Sequence, residues 1–189
     1  MLNPYANYFA LDESAALRRR ASRESQAVMR ARDLYRSMRF AGQVSGLIAW
    51  LARRPDHLAE AAEIVPAQAR AGHYAGLRTV PVSKIIASEG RSQDFDSAFH
   101  PRREANRDRW TKIATLRALG YDLPPVELIQ VGDSYIVRDG HHRISVAVAM
   151  GQECIDAQVT VLEAASALDW GQEGARVALP AGAAAMADF

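Results

Sequence analysis

SYIVRDGHHRISVAVAMG, Ser134 to Gly151, changes its period halfway along. An apolar, β-prone run breaks at Asp139-Gly140, two adjacent histidines and an arginine follow, and an almost wholly apolar segment then runs on to a glycine. The first part reads as a strand, and the last as a helix from Arg143 to Met150 stopped by Gly151. The polar box therefore opens a helix, where backbone N–H groups lack partners and the aligned peptide dipoles favour an anion. Gly140 lets the backbone come close to such a group, Arg143 offers a planar charged fork, and His141 and His142 can donate to phosphoryl oxygens. If Asp139 merely capped the helix and the histidines were surface residues, three cation-capable side chains would stand unexplained at the end where the dipole disfavours them. On this reading, loss of Arg143 relieves unfavourable charge and should lower stability little. A zinc site is disfavoured, because adjacent histidines on a turn diverge and no cysteine or third histidine lies nearby in sequence.

Outward from the box, VELIQV and SYIV flank Gly132-Asp133 and predict a hairpin, Val126 to Val131 with Ser134 to Val137. CIDAQVTVLE predicts a last strand, and the alanine- and glycine-rich tail from Ala164 is expected to fray. Upstream, a helix is expected from Arg103 to Leu119, with Trp110 in the core rather than stacking on a base, Gly120 just beyond its end, and Pro124-Pro125 enforcing the stop. LRTVPVSKIIA predicts a strand over Leu77 to Val82 and a helical turn over Ser83 to Ile86, followed by the loop SEGRSQDFDSAFHP.

The first third changes character. Leu17, Ala21, Val28, Ala31, Tyr35 and Met38 make one stripe of a helix from Asp12, its expected N-cap, to Phe40. A second helix is expected from Gln43 to Arg54, with Val44, Leu47, Ile48 and Leu51 on one face and Pro55 as its stop, and a third from Asp56 to Val65. Pro66 to Gly76 reads as a linker. The stripe must be buried, against the rest of the chain or in a homodimer formed through this annex.

At 189 residues and 49% hydrophobic, the chain can bury one sizeable core. A single cysteine, Cys154, excludes an internal disulfide and any multi-cysteine zinc site. With no secretory leader pattern at its start, the chain is expected in the cytoplasm. Its net charge of +1 hides an asymmetry: the first 55 residues hold ten arginines against Asp12, Glu13, Glu24 and Asp33. These arginines could contact nucleic acid or an acidic partner, or form a solvated helix face, which the periodicity favours.

From Arg78 to Glu163, nearly half the chain, the order of elements resembles the ParB/sulfiredoxin-like superfamily, with Asp139 to Arg143 (DGHHR) at the position of that family's phosphate-binding box. The two-histidine spelling looks most like the free-serine kinase and siderophore-precursor branch. The resemblance implies an α+β fold, a small mixed sheet with helices over 77–163, preceded by an all-helical annex and linker over 1–76 and followed by a tail over 164–189. It implies a nucleotide (ATP, ADP or CTP), with Mg²⁺, held by Asp139, Gly140, His141, His142 and Arg143, and a small-molecule hydroxyl substrate if the protein is a phosphotransferase. Glu89 would then act as general base, with Asp139 also in the catalytic set, unless Glu89 is an exposed loop residue. Asp94 and Asp96 are candidates for Mg²⁺, or turn residues. Cys154 lies outside the box, so the sulfiredoxin thiol is missing. Two alternatives remain: a chromosome- or plasmid-partition-type DNA-binding protein, and a nuclease-like or purely interacting module. Partition ParB proteins carry a helix-turn-helix and a dimerisation domain after this module, whereas 26 residues follow Glu163 here, which ranks the DNA-clamp role second.

Overall fold

The computed structural model describes residues 6–53, 55–65 and 70–163. The alanine-rich tail from Ala164 and the segment 66–69 lie outside the described residues. The fold is α+β: a six-stranded mixed sheet with helices, led by a long N-terminal helix.

Helix α1 runs unbroken from Ala6 to Leu51, roughly 69 Å at 1.5 Å per residue. Asp12 is thus inside the helix and not its cap, and the two helices expected on either side of Ala41-Gly42 are one. The reason is tertiary. A Cβ on Gly42 would lie 2.9 Å from His100 Cβ, and one on Gly46 would lie 2.8 Å from Asp56 Oδ2. Both glycines serve close approach of other segments rather than a break in the helix.

The third expected helix shrinks to strand β1 (Ala59–Glu60) and the single turn α2 (Ala61–Ile64). Strand β2 spans Arg70–Pro81, so most of the expected linker is strand instead. It pairs antiparallel with β6 (Cys154–Glu163), with Leu77 opposite Gln158 and Pro81 opposite Cys154. A 3₁₀ turn at Val82–Lys84 leads into β3 (Ile85–Ser88). Helix α3 covers Arg107–Ala118, β4 and β5 form the expected hairpin at Val126–Val131 and Ser134–Asp139, and α4 covers His141–Ala149.

The strand order is β1-β3-β5-β4-β6-β2. Alternate residues of the central strands feed two cores, as the period of two requires. Leu128 and Val137 join Val80, Phe95, Ile144 and Val159 on one face, while Ile129 and Ile136 join Ala87 on the other, covered by Ala61, Ile64 and Val65. A third cluster ties α1 to α3 and α4 through Ala31, Tyr35, Met38, Trp110, Ala114 and Val146. The Tyr35 and Trp110 rings lie 5.4 Å apart, and Trp110 Nε1 donates to Ser145 Oγ at 2.8 Å. Trp110 is fully buried, a core residue and not a stacking platform. The expected stripe of α1 is buried only in its middle: Leu17 is exposed at one end, and Val44, Leu47, Ile48 and Leu51 at the other.

Candidate functional site

Strands β3 and β5 are parallel, with Ser88 opposite Val137, so their carboxyl ends lie side by side. The loop after β3 and the first turn of α4 therefore meet. Between β5 and α4 stands Gly140 at φ 104° and ψ 16°, in the left-handed region. A Cβ there would lie 2.5 Å from Val126 Cγ1, so glycine is required both for the torsion and for the close approach of β4. The first helical hydrogen bond of α4 runs from the Ile144 N–H to the Gly140 carbonyl at 3.0 Å. The N–H groups of His141, His142 and Arg143 precede it, with no side-chain cap and no acidic residue in the first turn. This is the geometry of an anion cradle.

Both histidines are buried rather than on the surface. His141 Nε2 lies 2.6 Å from Ser88 Oγ, which also accepts from the Arg91 N–H at 3.1 Å. With the serine hydroxyl donating, the imidazole proton sits on Nδ1. Phe95 stacks against His141 and meets the His142 ring edge-on, at 6.2 and 5.3 Å. Burial pushes the pKa of each imidazole down to about 4, helped by the charge of Arg91 at His141 and of Arg109, then Arg91, at His142. At neutral pH both rings are uncharged, so the positive charge around the cradle comes from arginine. His142 Nε2 is buried with no partner, in a side chain that lines a small cleft with Arg91, Arg109, Ile113, Gly140 and Arg143.

Arg143 faces another way. One guanidinium nitrogen donates to the carbonyls of Pro124 and Pro125 at 2.7 and 2.8 Å, and the other to Asp139 Oδ2 at 2.5 Å. Its fork fastens the segment entering β4 to the start of α4. Glu89 follows β3 directly, its N–H donating to the Val137 carbonyl, and its exposed carboxylate accepts from Arg138 Nε at 3.0 Å. Asp94 pairs with Arg91 and Arg103 at 3.6 and 3.3 Å. Asp96 is fully buried: Oδ1 accepts from the N–H groups of Ala98 and His100, and Oδ2 lies 2.7 Å from His100 Nδ1. Both its oxygens thus serve its own loop. No cluster of three or more His, Cys, Asp or Glu side chains arranged for a metal ion occurs among the described residues. Cys154 is exposed at the start of β6 and does not line this cleft.

The site thus brings together Asp139 to Arg143 and sets Glu89 on the neighbouring strand end. Ser88, Arg91 and Arg109 were not singled out from the sequence. Arg91 lies two residues from Glu89 and was within reach of loop reasoning, whereas Arg109 carries no local signal, since only the packing of α3 on α4 brings it here.

No protein-family model matches the chain, and no curated protein does. Among solved structures it is similar to sulfiredoxin from Arabidopsis thaliana, at 20% identity over 44% of this chain and 82% of that one, with a TM-score of 0.31. A score that low carries no argument about function. Among the described residues, no helix is long and apolar enough to cross a membrane.

Proposed function

We propose that this chain is a ParB/sulfiredoxin-like nucleotide-binding protein that holds phosphate at the first turn of α4. The observation that carries the reading is the uncapped α4 N-terminus on left-handed Gly140, flanked by Arg91, Arg109 and the unpartnered Nε2 of His142. Three backbone N–H groups and two guanidinium groups supply donors and charge, and the neutral His142 ring offers a further hydrogen-bonding atom without the cost of a buried charge. The cleft holds about 20 Å³, the room of a single water molecule. A phosphate therefore sits at its mouth, with the rest of the nucleotide outside. In this reading Arg143 and Asp139 act by holding the turn, and Arg91 and Arg109 take the charged contact.

The finer reading is phosphoryl transfer to a small hydroxyl substrate. Glu89 would take the hydroxyl proton while the oxygen bonds to the terminal phosphorus and the bond to the leaving nucleotide oxygen breaks. Its pairing with Arg138 must open for this. Mg²⁺ would be held chiefly by the nucleotide phosphates, with Asp94 as the candidate carboxylate: its oxygens make longer salt bridges to Arg91 and Arg103, whereas Asp96 is fully buried and its oxygens are bound within its own loop.

The test is a thermal-shift screen with ATP, ADP, CTP and GTP, with and without Mg²⁺, followed by calorimetric titration of the wild type, Arg91→Ala and Arg109→Ala with the best nucleotide. Each arginine variant should bind about ten- to a hundredfold more weakly, the loss of a charge-assisted contact. Wild-type protein that binds no nucleotide below millimolar would overturn the proposal.

A further inference from the structure

A second charged feature lies away from the cradle. Arg32, Arg36 and Arg39 recur at helical spacing along α1, and Arg107 at the start of α3 faces them across a groove of about 480 Å³ that also includes Tyr35, Phe40, Gln43 and Glu104. Four arginines against Glu104, with Asp33 and Asp108 paired to Arg36 and Arg107 at the rim, leave the groove net positive. The fold uses some of them: Arg39 donates to the carbonyls of Pro101 and Arg102, and Arg107 pairs with Glu104 at 3.2 Å. Among the described residues, Arg36 makes only an exposed pair with Asp33, and Arg32 makes no hydrogen bond or ion pair. Further arginines lie along α1, distributed around its circumference. Residues 16–26 are exposed all round, so this part of the helix projects from the domain, and it carries Arg18, Arg19, Arg20 and Arg23 against Glu24. From Arg18 to Arg39 the arginines span roughly 32 Å of helix, with Arg18 on the face of Arg32 and Arg36 and with Arg19 and Arg23 on the far side.

We infer that the arginine-bearing length of α1 and this groove form a docking surface for the phosphodiester backbone of a nucleic acid. A small phosphate compound would need the groove alone. A helix that projects from the described residues with arginines spaced along it matches a ligand whose charges are also spaced along a line, as duplex DNA's are at one per about 1.7 Å. Arginine suits phosphate oxygens through its planar fork, and contacts of this kind carry affinity without reading base sequence. The surface is separate from the α4 cradle and does not depend on the nucleotide reading.

The full chain is titrated, with fluorescence anisotropy as the readout, against a duplex DNA of about 20 base pairs and a single-stranded RNA of similar length, at salt from about 50 to 200 mM. Inorganic triphosphate serves as competitor. The comparison set is wild type, Arg32→Glu/Arg36→Glu, the milder Arg32→Gln/Arg36→Gln, and the charge-matched control Arg78→Glu/Lys84→Glu, whose residues lie on β2 and the following turn. Wild type should bind at least one of the two polymers at micromolar or tighter in low salt, with affinity falling steeply as salt rises. The glutamate pair should weaken binding at least tenfold and flatten the salt slope by about 2 for duplex, near 0.9 per lost contact. The glutamine pair should give a smaller loss in the same direction, and the control less than threefold. A preference between the two polymers identifies the form of the backbone. The inference is overturned if neither polymer binds, if the control loses as much as the groove variants, or if triphosphate binds in the groove while neither polymer does.

Discussion

Ser88 Oγ and His141 Nε2 lie 2.6 Å apart, both buried, across the seam where the end of β3 meets the start of α4. The same oxygen accepts the Arg91 N–H, so one hydroxyl fixes both the imidazole that opens the helix and the loop that carries a cradle arginine. Ser88→Ala should leave a buried imidazole nitrogen and a backbone N–H without partners, a loss of about 1–3 kcal/mol. Denaturant midpoints at unchanged m-value measure it, and a shift no larger than that of an exposed serine such as Ser83 would show that the pair does not hold the seam.

Arg143→Ala should destabilise the unliganded protein by about 1.5–3 kcal/mol, because the guanidinium makes charge-assisted bonds to Pro124, Pro125 and Asp139. This replaces the expectation of a small effect, which considered only the helix dipole. Arg143→Lys keeps the charge but cannot satisfy three acceptors in two directions, so it should recover less than half of the loss. Urea unfolding of the three proteins decides the matter.

Gly140→Ala should be worse tolerated than alanine at any surface glycine. The φ of 104° costs about 1–2 kcal/mol for a side-chain-bearing residue, and its Cβ would press into Val126. Adding Val126→Ala should relieve only the clash. If the single variant melts like Gly132→Ala, whose Cβ meets nothing within 4 Å, the steric argument fails.

Stability should fall as pH drops from about 6.5 towards 4. His141 and His142 are held neutral, with pKa lowered to about 4 when folded against 6.5 as the ordinary value. Between those values the unfolded chain binds more protons than the folded one, so the unfolding free energy rises with pH and the contribution is lost on acidification. At about 1.4 kcal/mol per unit for each group, the combined effect is on the order of several kcal/mol. Chemical denaturation across this window gives the slope, and NMR of the imidazoles gives the protonation. Either ring charged at pH 5.5 in the folded protein would contradict the assignment.

The hairpin, the last strand and the box at a helix start were legible because each has a local cause. Gly132-Asp133 turns a two-residue hairpin, alternation marks β4 and β5, and a glycine followed by polar residues and an apolar run marks a strand-to-helix junction. Trp110 was legible as core by its helical spacing. What failed were readings in which a glycine or a short polar run was taken to end an element. Gly42 sits inside one continuous helix where His100 packs too close for a larger residue, and residues 70–76 are strand because β6 offers a ladder to pair with. Neither cause is present in the local sequence.

The order of residues alone determined that a strand gives way to a helix at Asp139 to Arg143, which leaves unpaired backbone N–H groups beside a run of polar side chains. Only the tertiary structure decided which side chains surround that turn. Packing of the Pro124-Pro125 segment turns Arg143 inward to three acceptors, burial removes the charge from both histidines, and the approach of α3 and of the loop after β3 brings Arg109 and Arg91 to the cradle. Those assignments depend on desolvation and on contacts between segments 18 to 53 residues apart, and such contacts leave no trace in local spacing.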